Sequence, residues 1–93
     1  MAIIFNWDTE AWVEVELGKN DLGQFLLNGE VVLSFVTTYT SIGGPKACLM
    51  SWDEEVATYT PWNTWYGASS PDAAWNDAQS WAAAEDIPAI RGI

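Results

Sequence analysis

The amino-acid sequence predicts an α+β fold, in which a small antiparallel β-sheet of about four to five strands is covered by one C-terminal α-helix. Three observations predict this fold: residues 12–17 alternate between apolar and polar side chains, Asn28-Gly29 separates two apolar runs, and a long helical pattern follows Ser70-Pro71. Alternation with a period of two is typical of a half-buried strand. Asn-Gly between apolar runs is typical of a tight hairpin, and Ser-Pro is typical of a helix start.

The first two predicted strands cover residues 2–7 and 12–17. Residues 2–7 combine β-branched and aromatic side chains, which favour strands, and they end at the turn residues 8–10. In residues 12–17 successive side chains point to opposite faces of the strand, so that one face is aliphatic and the other carries acids. The aliphatic face has Val13, Val15 and Leu17, and the opposite face has Trp12, Glu14 and Glu16.

Glycine-containing turns separate the next predicted strands. Residues 18–23 contain two glycines and an Asn-Asp pair, so they predict a loop. At Asn28-Gly29 both residues tolerate the positive φ of a type I′ turn, which leads into a long strand over residues 30–40. Its expected core face has Val31, Leu33, Phe35 and Tyr39.

The pattern after residue 45 predicts two shorter strands and an aromatic loop. Residues 46–52 are mostly apolar, and residues 56–60 are expected to pair back with them across an acidic turn, although a short helical start at Asp53 is the alternative. Residues 60–67 are rich in aromatic side chains but include Pro and Gly. We therefore expect an ordered loop that is packed by its own rings.

The helix has clear start and stop signals. Ser70 provides an N-cap hydroxyl, Pro71 suits the first helical position, and Asp72 faces the positive end of the helix dipole. Good helix formers continue to about residue 85, and Pro88 ends the run. The expected buried face has small residues at its centre and an indole on either side: Ala74, Ala78, Ala82 and Glu85, flanked by Trp75 and Trp81.

Composition excludes several classes of function. The chain has 93 residues, the length of a single domain covering 1–93, and it carries 3 Lys and Arg against 13 Asp and Glu, for a net charge of −10. So few cations argue against direct binding to nucleic acid or to an anionic membrane. Because the chain contains no His, it has no His-containing catalytic triad and lacks the commonest metal ligand. We therefore predict neither an enzyme nor a cofactor.

The sequence gives two indications of compartment. A single cysteine, Cys48, cannot form an intramolecular disulfide, so nothing requires an oxidising environment. It lies in an apolar strand pattern and is expected to be a small buried residue rather than a nucleophile. The residues after Met1 lack the basic flank and the long apolar region of a signal peptide. We expect a cytoplasmic protein.

Two groups of acidic residues are candidate contacts. Asp8, Glu10, Glu14 and Glu16 place four acids within nine residues without a cation, a stripe that could face a basic groove which normally binds a nucleic-acid backbone. The alternative is an ordinary solvated strand face, whose charges keep the sheet edge from pairing with another chain. For the run of Asp53, Glu54 and Glu55, a solvated turn is favoured over a calcium site, because the oxygen pattern of a calcium loop is missing.

Aromatic residues form the third candidate group. The chain has seven Trp, more than so small a domain readily buries, and Trp62, Trp65 and Tyr66 lie together in the predicted loop. These rings either plug the open end of the sheet or form a platform that anchors a protein or a sugar. A protein interface is the favoured functional interpretation, because a carbohydrate-binding module would need export.

In size, charge and general build, the chain resembles the small acidic proteins that phages make against host defences, such as anti-CRISPR proteins and other nuclease inhibitors. The resemblance implies an inhibitor that blocks a basic, nucleic-acid-binding surface of a host complex, in the host cytoplasm, by steric and electrostatic occlusion. The acids named above would be its contacts and the aromatic group its anchors. The alternative is a structural or assembly protein, such as a minor virion component, that self-associates through its aromatic surface. Halophilic origin is a further explanation of the acidity.

Overall fold

A computed structural model describes residues 2–6, 8–41, 44–65 and 69–91, without the side chains of residues 40, 41 and 65. These residues form nine strands and one helix. In chain order the elements are β1 (Ala2–Asn6), β2 (Ala11–Val15), β3 (Gly18–Lys19), β4 (Phe25–Leu27), β5 (Glu30–Val31), β6 (Ser34–Ser41), β7 (Gly44–Asp53), β8 (Thr58–Trp65), α1 (Pro71–Glu85) and β9 (Ala89–Ile90).

The strands form two sheets, and the predicted α+β class is confirmed at that level. The larger sheet has six strands in the order β2-β1-β9-β6-β7-β8, and the smaller has three in the order β3-β4-β5. The prediction of a four- to five-stranded antiparallel sheet is wrong in size and in kind, because β9 runs parallel to β6 and antiparallel to β1. Two buried residues after the helix, Ala89 and Ile90, are too short a segment to show a strand period in the sequence.

Both faces of the six-stranded sheet are covered. On one face α1 packs its small residues against the sheet, in a cluster that includes Val36, Ala47 and Ala89. On the other face, the three-stranded sheet contributes Phe25 and Leu27 to a second cluster. The buried members of this second cluster are Ala2, Val32, Phe35 and Ile90.

Coverage on both faces explains an error in the predicted core. Phe35 and Val36 are neighbours in β6 on opposite faces, and both have an exposed fraction of 0%. Leu33 was expected in the core but is 62% exposed, whereas the adjacent Val32, also in the break between β5 and β6, is buried. The single strand predicted over 30–40 is therefore two strands, and Val31 and Tyr39 are each 42% exposed.

Local turn signals predicted the backbone well. Asn28 and Gly29 have φ angles of 52° and 80° in a two-residue connection between β4 and β5, as expected of a type I′ turn. The loop predicted over residues 18–23 contains the short strand β3 at its start. The predicted pairing back after residue 56 is present as β8.

The predicted loop over residues 60–67 is largely wrong. Thr58–Trp65 is strand β8, which pairs with β7 and forms an edge of the six-stranded sheet. Proline is tolerated in an edge strand where its missing N–H faces away from the neighbour, so Pro61 did not end the strand. Residues 66–68, including Tyr66, lie outside the described residues.

The helix begins and ends as predicted. Ser70 Oγ accepts a hydrogen bond from the Ala73 backbone N–H at 3.1 Å, Pro71 is the first helical residue, and Asp86 terminates the helix in the left-handed region at φ 55°. The buried residues are Ala74, Trp75, Ala78 and Ala82. Glu85, expected near the centre of that face, is exposed in the last turn.

Tyr59 joins the two sheets. Its hydroxyl accepts a hydrogen bond from the Phe25 N–H at 2.8 Å and donates one to the Val32 carbonyl at 2.7 Å. Its ring stacks on Phe25 and meets Phe35 and Trp52 edge-on, with centroids 4.9–5.1 Å apart. Burial raises the pKa of the Tyr59 phenol above its ordinary value of 10.0, although the hydrogen bond with the Phe25 backbone acts in the opposite direction.

Candidate functional site

The first group of candidate acids lies at the β2 edge of the six-stranded sheet. Asp8 and Glu10 are in the turn between β1 and β2, Glu14 is in β2, and Glu16 is the first residue after that strand. All four are exposed. The predicted alternation is confirmed within β2, where Trp12 joins the cluster beneath α1 and Val15 the cluster beneath the three-stranded sheet.

Two similar turns present acids at the two edges of this sheet. In the β1–β2 turn Asn6 Oδ1 accepts a hydrogen bond from the Asp8 N–H at 2.9 Å, and Glu10 has a φ of 53°. In the β7–β8 turn Asp53 Oδ1 accepts one from the Glu55 N–H at 2.9 Å, and Ala57 has a φ of 52°. A carboxylate used in this way shapes its own turn, which supports the solvated-turn interpretation of residues 53–55.

The acids of the β1–β2 hairpin and Trp62 lie at opposite edges of the sheet, whereas the acidic residues 53–55 lie at the β7–β8 turn, on the same edge as Trp62. β2 and β8 are separated by four strands, which is roughly 24 Å at the usual spacing between strands. Trp62, in β8, is 74% exposed. The backbone of Trp65 is also in β8, but its side chain and Tyr66 lie outside the described residues. A single partner would contact the hairpin acids and Trp62 together only by spanning the sheet.

All three cations of the chain lie near aromatic rings, and two of them are lysines. Lys46 is 5% exposed, and its ammonium lies 4.9 Å from the centre of the Tyr39 ring. Lys19, three residues after Glu16, has its ammonium 5.5 Å from the centre of the Phe25 ring. A cation over an aromatic face is attracted by the ring quadrupole.

The third cation, Arg91, lies beside the helix start. One of its nitrogens is 3.4 Å from Asp72 Oδ1, and its guanidinium lies 5.4 Å from the centre of the Trp75 ring. Of the thirteen acidic residues, twelve are exposed and Asp53 is partly exposed. The surface is therefore rich in carboxylates, while the few cations are engaged with rings or with a carboxylate at the helix start.

The backbone of β8 has one feature that sequence reasoning missed. The Trp52 N–H donates to the Leu33 carbonyl at 2.8 Å, so the backbone groups of Trp52 face β6 and not β8. Its partner on β8, Tyr59, and the alternate residue Pro61 therefore direct their backbone groups to the outer side. Because proline has no N–H, the outer side of β8 lacks a donor at residue 61.

Two further features protect the β8 edge against pairing. The register shifts between Leu49 and Met50, which leaves Trp62 as an extra residue in a bulge. The Thr64 N–H is bonded to Asn63 Oδ1 at 2.9 Å and is not available to another strand. Prolines and bulges are devices by which proteins discourage edge-to-edge association.

Cys48 is 0% exposed, as predicted, and its Sγ accepts a hydrogen bond from the Thr64 hydroxyl at 3.6 Å. In the described ranges no three His, Cys, Asp or Glu side chains come together as a metal site. No helix in the described part of the chain combines the length and apolar character needed to cross a bilayer. An open cavity of about 670 Å³ lies beside the end of β2 and is lined by Glu14, Val15, Glu16, Leu17 and Gly18.

These features define an α+β protein with an acidic surface, one protected sheet edge and one acidic sheet edge. No protein-family model, curated protein or solved structure matches the chain. The surface and the sheet edges are therefore the features of the molecule that bear on its function.

Proposed function

We propose that this protein is a non-enzymatic acidic binding protein, which docks on a basic, nucleic-acid-binding surface of a protein or nucleoprotein complex and blocks it. The observation that carries the proposal is the separation of charges, with twelve exposed acids and the three cations engaged. Such a surface attracts a basic groove over several ångströms and speeds the encounter. The occluded complex belongs to a host defence system, as in the small acidic phage inhibitors that the chain resembles.

The β1–β2 hairpin is the proposed contact. Its four acids, from Asp8 to Glu16, lie at one sheet edge without a basic residue between them. A partner groove that accommodates this edge would replace phosphates by carboxylates and would be covered by the body of the sheet. Inhibition then needs no chemical step, in agreement with a chain that has no His and a buried cysteine.

The test is capture of partners from a host lysate at low and high salt. The Glu14→Lys/Glu16→Lys variant is compared with Asp77→Lys/Glu85→Lys, which changes the charge equally on the exposed side of α1. We expect capture of a nucleic-acid-handling protein that is lost at high salt and with the β2 variant but persists with the helix variant. Added nucleic acid should displace the inhibitor from that partner. Capture that ignores both salt and Glu14→Lys/Glu16→Lys would refute the proposal.

A second candidate function is assembly through the aromatic surface. The observation that favours it is Trp62, whose exposed fraction of 74% is unusually high for an indole. Size-exclusion chromatography with light scattering distinguishes the two functions. A stable oligomer at micromolar concentration that dissociates in the Trp62→Ala variant would favour assembly, whereas a monomer would favour the inhibitor.

A further inference from the structure

The two edges of the six-stranded sheet differ in their capacity to accept another strand. The β8 edge lacks the N–H of Pro61, contains a bulge, and uses Asn63 to satisfy an outward N–H. The β2 edge has none of these features within Ala11–Val15, where five residues pair with β1 in an unbroken register. Among the described strands β2 pairs with β1 alone, so alternate residues of β2 direct their N–H and C=O groups outward.

We propose that the β2 edge accepts an extended, lysine- or arginine-rich segment of a protein partner, which adds to the sheet as a further strand. This inference rests on the proposed function and specifies the contact through which it acts. Main-chain hydrogen bonds give such strand addition its affinity, and alternate side chains give it specificity.

The side chains beside β2 define the chemistry of the added strand. Glu14 lies on one face of β2, and Glu10 and Glu16 lie just beyond its two ends, so basic residues at alternate positions meet carboxylates. On the opposite face Val13 is 39% exposed and offers apolar contact. The cavity of about 670 Å³ beside Glu14 and Glu16 leaves room for long basic side chains at the end of the strand.

Charge selects this occupant over a second copy of the chain. Antiparallel pairing of two β2 strands about Val13 would bring Glu10 of each copy beside Glu16 of the other, where like charges repel. Each copy also carries a net charge of −10. A basic segment meets neither obstacle.

The test uses three synthetic peptides of about seven residues, a length that covers one strand. The first alternates threonine and lysine, the second has the same sequence with its central backbone nitrogens methylated, and the third alternates threonine and glutamate. Binding is measured at low salt by NMR titration, together with hydrogen exchange of the β2 amides. A matched pair of variants, Glu14→Gln and Glu85→Gln, removes one carboxylate from β2 or from the end of α1.

We expect the lysine peptide to bind and to slow exchange within Ala11–Val15, and the glutamate peptide not to bind. N-methylation removes the donors of the added strand without changing its charge, so affinity should fall about tenfold or more. Glu14→Gln should weaken binding about two- to fivefold and Glu85→Gln should leave it unchanged.

Other outcomes separate this inference from the proposed function. Equal binding of the methylated peptide would overturn strand addition, while its salt dependence would still support an acidic docking surface. Failure of the lysine peptide, with salt-dependent capture of a partner from lysate, would overturn only the inference, and failure of both would overturn both. Exchange at β2 that slows with protein concentration, in the absence of peptide, would show that a second copy occupies the edge.

Discussion

At the scale of single residues, Tyr59 is the side chain on which the contact between the two sheets depends most directly. Its hydroxyl satisfies the Phe25 N–H and the Val32 carbonyl, two backbone groups at the junction with the three-stranded sheet. A backbone group that is left unsatisfied on folding carries its full desolvation cost. The phenol therefore contributes more through the two groups that it satisfies than through the strength of either bond.

Tyr59→Phe should lower the free energy of unfolding by about 1–3 kcal/mol, because both backbone groups lose their partner while the ring contacts persist. The variant should also change how the free energy of unfolding depends on pH in the alkaline range. Since the pKa of Tyr59 is raised above 10.0 in the folded state, its contribution is complete below pH 10 and is lost as pH rises through the folded pKa. Urea unfolding across this range measures both effects. Equal stability of the two proteins at neutral pH would contradict the assigned role.

Thr37, unlike Tyr59, has a buried hydroxyl that is not satisfied by a hydrogen bond among the described residues. The exposed fraction of Thr37 is 4%. Thr37→Val keeps the shape and removes the buried hydroxyl, so it should raise the free energy of unfolding by about 1 kcal/mol. Thermal and urea unfolding measure the change, and Thr38→Val, at a partly exposed neighbour, is the control. A loss of stability in Thr37→Val would mean that the hydroxyl is satisfied.

At the scale of elements, the β1–β2 and β7–β8 turns at the sheet edges have the same local structure. Each begins with an Asn or Asp whose side chain accepts a backbone N–H two residues later, and each ends with a non-glycine residue at positive φ, Glu10 or Ala57. The left-handed region costs an L-residue roughly 1–2 kcal/mol, which glycine avoids. Both turns therefore retain a local strain that the strands on either side overcome.

Ala57→Gly should stabilise the protein by about 0.5–1 kcal/mol, because the relief of strain exceeds the extra backbone entropy of the unfolded chain. Val56→Gly, one residue earlier in the same exposed turn, relieves no positive φ and should destabilise by about 0.5–1 kcal/mol. The difference between the two variants in urea midpoint is the measurement. A shift of the same sign in both would contradict this account.

The elements also show which parts of the fold a sequence reveals. The helix start at Ser70, the Asn28-Gly29 turn and the alternation in β2 follow from local physics and were predicted. β9 pairs with β1 and β6, which are distant in the chain, so its two residues carry no signal of their own. The three-stranded sheet is local, but its strands of two or three residues are too short to show a period. The acids of the candidate site were predicted to lie exposed. The protection of the β8 edge against pairing could not be predicted, because it depends on the direction in which the backbone groups of β8 point. Only the register with β7 gives that direction.

At the scale of the whole molecule, the sheet has two edges of different character. The β8 edge is protected and displays Trp62, whereas the β2 edge is acidic and regular. If the charges on β2 only discourage pairing with other strands, the β2 edge should show no preference for a basic strand. The peptide experiment distinguishes it from docking, because protection and recognition give opposite results with the lysine peptide.

The net charge of −10 predicts how salt acts on the folded state. Repulsion among exposed carboxylates opposes compaction, and salt screens it, so raising NaCl from about 20 mM to about 500 mM should increase the free energy of unfolding by on the order of 1 kcal/mol. Urea, which is uncharged, is the denaturant for this measurement. The Glu54→Gln/Glu55→Gln variant removes two of the charges and should show a smaller increase, whereas equal or falling stability with salt would contradict the prediction.

The sign of this effect bears on the proposed function. Salt that stabilises the fold also screens attraction to a basic partner, so stability and capture should change in opposite directions over the same range of salt. A partner lost at high salt is then lost because the attraction is screened, and not because the protein unfolds. Comparing the urea midpoint with the captured fraction at each salt concentration tests this directly, and a parallel fall in both would attribute the loss of capture to unfolding.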